Sequence, residues 1–219
     1  MKKNIKRKRG KSKIRTVITN HIVNNKKDYL IAILLFLVGL IIGVMFINNV
    51  SENQFIEIEE YIKTLVNSIK SIENIDYINI FKESMLSNLI LIIIIWISSS
   101  TIIGIPIVYG NLIFRGFILG YTISSIVSSL GILNGIIFGI TSLLLHNIIF
   151  ISVVLAASVS GMKLYKSIIK NREKENVKIE FFRHTIFCVI MLLLLVISSI
   201  IEVYISTNLV KFFINCIKL

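Results

Sequence analysis

His146, Asn147 and Glu202 are the side chains whose types and positions invite chemistry. His146 and Asn147 sit near the middle of a long apolar run, and Glu202 sits about one turn from the end of another. An ionisable group at membrane depth is costly, so by default it marks a functional site. Two uses fit: handling a transported ion or solute, or hydrogen bonding between helices. The other two histidines, His21 and His184, fall in the N-terminal segment and beside a basic stretch, so the three cannot share a metal. Cys188 lies inside an apolar run and Cys216 in the C-terminal tail, a placement that suits neither a bridge nor a metal site. Glu57, Glu59 and Glu60 fall within four residues, which reads as one solvated helix face rather than a catalytic pair. No P-loop, G-x-S-x-G or H-E-x-x-H motif occurs in the chain. The sequence therefore predicts no enzyme, no cofactor and no metal.

The elements that carry these residues are set by composition. Of 219 residues 55% are apolar and only 16% charged, against about 25% charged in a soluble domain. The net charge of +12 is concentrated: eleven of the 24 Lys and Arg lie within 1–27 and seven within 163–183. Both blocks flank apolar runs long enough to cross a bilayer, so the positive-inside rule accounts for them without nucleic acid. The prediction is an all-α, polytopic membrane protein with five transmembrane helices and a cytoplasmic N-terminus. Its parts are a basic tail (1–28), a first span (29–47), an acidic outer loop (48–87), spans two to four (88–162), a basic cytoplasmic loop (163–184), a fifth span (185–206) and an outer tail (207–219). The stretch 88–132 carries one charge, Arg115, and is too long for one crossing. Pro106, Gly110, Asn111 and Arg115 suggest a turn there, dividing it at about 109–113, with Pro106 kinking the second span. Anionic lipid is the expected neighbour of the basic segments.

Small residues recur at four-residue spacing: Gly116, Gly120 and Ser124 in the third span, then Gly131, Gly135 and Gly139 leading into the fourth, with Gly39 and Gly43 in the first. That spacing places them on one face, where backbones approach closely, either within one subunit or in a homo-oligomer. The outer loop carries a different pattern. Phe55, Ile58, Ile62, Leu65, Ile69 and Ile72 follow a 3, 4, 3, 4, 3 spacing, which predicts an amphipathic helix whose apolar stripe needs cover from lipid, from this chain or from a partner.

The segments GIPIVYGNLIFRGFILGY (104–121), LLLHNIIFI (143–151) and SGMKL (160–164), with Asn88 opening the second span, resemble the stage II sporulation protein M family. The overall plan of tail, anchor, outer loop and four more spans is similar too. In that family's pattern the histidine is often preceded by Pro and followed by Gly and a nearby Glu. Here Leu145, Asn147 and Phe150 hold those places, which tells against ion handling and leaves His146 as the matching position. The resemblance implies a non-catalytic membrane anchor working in endospore engulfment with two wall hydrolases, stage II sporulation proteins D and P. It would make the outer stripe their docking surface.

Overall fold

The computed structural model describes residues 20–71, 75–101, 104–170 and 174–216, and they are helical almost throughout. Among the described residues, after a helical stretch at 20–24, the α-helices with both ends described are, in order, α1 Lys26–Asn48, α2 Glu52–Ser71, α3 Tyr77–Ser99, α4 Gly104–Leu130, α5 Ile132–Gly139, α6 Leu145–Lys170, α7 Lys174–Ile201 and α8 Thr207–Cys216. Two π-helical segments, Ile140–Leu144 and Glu202–Ser206, join α5 to α6 and α7 to α8, and they pack against each other. Among the described residues five helical stretches are long and apolar enough to cross a membrane. The basic tail up to residue 19, Ile72 and Lys218 lie outside the described residues.

Local chemistry sets the boundaries. Ser51 precedes α2 and its backbone N–H and hydroxyl both donate to Gln54 Oε1, at 3.2 and 3.0 Å, as in a capping box. The Asp76 carboxylate accepts from the Asn79 N–H at 3.1 Å and starts α3. At its far end Ser99, Ser100 and Thr101 turn their hydroxyls back onto the carbonyls of Ile95, Trp96 and Ser98. These bonds offer the backbone an alternative to the helical ladder. The second span therefore ends at Ser99, ten residues before the expected place. Pro106 falls in the first turn of α4, where its missing N–H leaves no partner stranded. It lies outside the second span and so does not kink it, and Gly110, Asn111 and Arg115 all continue α4. Gly131, at φ 79°, supplies the left-handed residue that separates α4 from α5. The C-terminal segment is no plain tail: 207–216 continues as α8.

Two apolar cores result. The larger is built on Ala32, Leu91, Ile95, Val108, Leu112, Val153, Val154, Ala157, Met162 and Leu195, from α1, α3, α4, α6 and α7. The smaller is built on Val66, Ile126, Leu130, Phe138, Val210 and Ile214, and it draws α2, the end of α4, α5 and α8 into a cap. Between the cores lies a chamber.

The tightest seam is α1 against α4. A methyl group built on Gly39 or Gly43 would run into the carbonyl of Ile113 or Phe117, and one on Gly116 or Gly120 into that of Phe36 or Leu40. The four-residue spacing thus serves packing within the chain, with the first span as the chief partner of the third. Ser124 is half-buried further along α4. Gly135 meets the Val127 backbone and closes the α4–α5 hairpin, whereas Gly139 has open space around it.

Candidate functional site

The chamber begins beneath α2. Its wider part, about 1010 Å³, is walled on one side by Ile58, Ile62, Leu65 and Ile69, and on the other by Ile126, Phe138, Leu143 and Val210. The outer stripe is therefore turned inward, and Ile62, Leu65 and Ile69 also pack against the smaller core. Phe55 and Ile58 are half-buried. What α2 presents outward is Ile56, Glu60, Lys63 and Asn67, all exposed.

A second, polar part of about 390 Å³ continues from the first, sharing Ile80, Glu83, Thr122, Leu143 and Glu202 with it. This recess lies between α3 and α4 with α6 behind, and Ser84, Asn88, Arg115, His146 and Asn147 face it. Glu202 is tied in place. Ser84 donates to its Oε2 at 2.6 Å, and the Ser84 oxygen lies 2.8 Å from Ser199 Oγ. Asn88 donates to the same Ser199 oxygen at 2.8 Å. His146 Nε2 stands 3.9 Å from Glu202 Oε1, and the His146 carbonyl accepts from Ser198 at 3.0 Å. The two residues on different spans flagged by sequence thus meet in one site, with Asn147 beside them. Pro106 takes no part. Both π segments border the site, since Leu143 belongs to one and Glu202 to the other. Such bulges re-aim side chains and recur at functional sites.

Sequence reading placed Arg115 at a turn and so missed it here. It lies eleven residues into α4, roughly 16 Å along the axis, near the middle of a bilayer-spanning helix. Its guanidinium carbon sits 5.3 Å from the centre of the Phe150 ring. Its Nε is buried without an acceptor, and among the described residues no carboxylate pairs with it. His146 Nδ1 is likewise buried and unpartnered. The signal was available: Arg115 is the single charge between residues 88 and 132.

The opposite, basic end of the bundle is tied by ion pairs. Asp28 pairs with Lys166, and Glu180 with Lys163 at 3.2 Å and Arg183 at 2.8 Å. His184 is buried, its Nδ1 3.0 Å from Ser160 Oγ, and the buried thiol of Cys188 lies 3.5 Å from its Nε2. His21 stacks on Phe187 with ring centres 4.9 Å apart, and its Nδ1 lies 3.1 Å from the Tyr29 hydroxyl. No group of three His, Cys, Asp or Glu converges on a metal site among the described residues.

Five apolar crossings around a polar chamber define a multi-pass helical membrane protein. The chain matches the stage II sporulation protein M family over residues 32–207, which reaches into each of the five spans and takes in most of the chamber lining, and it belongs to that family. An uncharacterized protein of Methanocaldococcus jannaschii, MJ0793, is 29% identical over 192 residues, covering 85% of this chain and 98% of that protein. Neither description names a catalytic activity. No solved structure matches the chain.

Proposed function

We propose that this sporulation-family membrane protein is a non-catalytic anchor that holds wall hydrolases of the D and P type at the engulfing septal membrane. Family membership is the observation that carries the reading. The geometry supports it in a revised form. With the basic segments cytoplasmic, as the positive-inside rule requires, α2 lies outside the membrane, clamped to the bundle by its apolar stripe. A docked helix is a rigid platform, and partners meet its outward face of Ile56, Glu60, Lys63 and Asn67 rather than the buried stripe. Affinity purification from sporulating cells tests this. The hydrolases should come down with the wild-type chain and be lost with Glu60→Lys combined with Asn67→Lys. They should also be lost with Leu65→Asp, which puts an unpaired charge under α2 and undocks it. Recovery of nothing but further copies of the chain would sink the reading.

A second reading, a transport component, draws on one observation: the Arg115, His146 and Glu202 recess at membrane depth. It requires that His146→Gln or Glu202→Gln abolish function while the hydrolase complex still assembles. The anchor reading requires both variants to be tolerated.

A further inference from the structure

We propose that the chamber binds an anionic amphiphile, its phosphate or carboxylate head on Arg115 and its hydrocarbon chain in the groove beneath α2. The proposal rests on the chamber alone and holds whether the protein anchors hydrolases or moves a solute.

The sign of the head follows from which groups are already satisfied. Of the two carboxylates on the recess, Glu202 is held by Ser84 and faces His146, and Glu83 is exposed to solvent. The arginine is not satisfied: Arg115 Nε is buried with no acceptor, and Asn147 stands beside it. With Nε2 toward the Glu202 carboxylate, His146 Nδ1 is the acceptor nitrogen of a neutral ring and lines the recess without holding the head. An arginine at the centre of a membrane helix is costly to insert unless it is balanced. A group that balances it must be negative and must accept hydrogen bonds in a guanidinium's plane, which phosphate and carboxylate do.

The tail follows from the wider part of the chamber. Ile62, Leu65, Ile69, Ile126, Phe138 and Val210 line it, and water alone would leave that apolar wall unfavourably wet. A hydrocarbon chain leaves it dry. The volumes fall in the range of ordinary small-molecule sites. The route of entry separates an amphiphile from a free anion. Glu57, Asp76 and Glu83 stand on the chamber wall nearest the acidic end, with Lys211, and their charge disfavours a bare anion arriving from water. Ser87 and Ile118, both exposed, flank the recess and leave it an opening between two spanning helices, α3 and α4.

The test uses the full chain purified in dodecyl maltoside, with dodecyl phosphate, dodecanol and inorganic phosphate as probes. Dodecyl phosphate should bind saturably and raise the melting temperature, while dodecanol and inorganic phosphate leave it unchanged. Arg115→Gln should weaken dodecyl phosphate by about tenfold or more through loss of a charge-assisted contact, and Arg115→Lys, which keeps the charge but loses the planar fork, should weaken it less. Should Arg115→Gln fail to fold, Ser125→Phe gives a second reading, because it projects a ring into the groove without touching the recess charges. It should weaken dodecyl phosphate comparably. Equal binding by wild type and either folded variant overturns the proposal. So does inorganic phosphate that stabilises as well as dodecyl phosphate, which marks a bare-anion site, or dodecanol that does so, which marks a merely greasy groove.

Discussion

Helix α4 separates two regions built on opposite plans. On one face Gly116 and Gly120 bring its backbone against that of α1, with no room for a methyl group. On the other, Arg115, Thr122 and Ser125 look into a chamber spacious enough for a ligand. Without a hydrophobic drive between helices in lipid, close backbone packing is what holds a membrane bundle together. A helix locked hard on one side can leave its other side unfilled. The seam thus supplies the rigidity, and the chamber carries the costly polar groups.

The contrast is broken most severely at the seam. Gly116→Leu must push α1 away from α4 over several turns. It should cost about 3 kcal/mol or more, the upper end for overpacking, and thermal scans of the purified protein would show it as a large drop in melting temperature. Gly139→Leu is the control, since nothing lies within 4 Å of its added carbon. It should cost far less. Equal losses from the two glycines would mean that the seam is not what holds the bundle.

A smaller effect is expected in the polar network beside the chamber. Asn88→Leu removes the bond to Ser199 and loosens the support of Ser84 and Glu202. Interhelical hydrogen bonds in membranes are worth about 0.6 kcal/mol on average, so a loss near 1 kcal/mol is the upper expectation. A loss as large as that of Gly116→Leu would place the structural load on the chamber side and reverse the comparison.

The two regions also differed in how far the sequence revealed them. The seam was legible as spacing because small residues every four positions have one geometric meaning, although spacing could not say which helix they meet. The five crossings were legible from hydropathy for the same reason. The break between the second and third spans was misplaced because Pro106 and Gly110 resemble turn residues. The deciding signal was the run of hydroxyls ending at Thr101, each bonding back to its own helix. His146 and Glu202 were each conspicuous, but their meeting depends on how α6 and α7 pack, which no single run of residues encodes. Arg115 was hidden by the assumption that a lone charge belongs at a loop. The α2 stripe was plain, and its cover was not, because α8 was read as a tail.

The weakest tie in the comparison is the anchor of the segment before α1 at the basic end, where burial first and the charge of Lys163 second hold the His21 imidazole below its ordinary pKa. With the folded value lowered, the unfolded chain binds the proton more readily, so stability is fully present above about pH 6.5 and declines as pH falls through the folded value. Protonation sets a charge between the Phe187 ring and the Lys163 ammonium. Thermal scans at pH 7.5 and pH 5 should therefore show a small loss in the wild type that is reduced in His21→Phe, which keeps the stack on Phe187. If α1 depended on this anchor rather than on its glycines, acidification would approach the effect of Gly116→Leu. The seam buries backbone against backbone while His21 is only half-buried, so the acid effect should remain the smallest of the three.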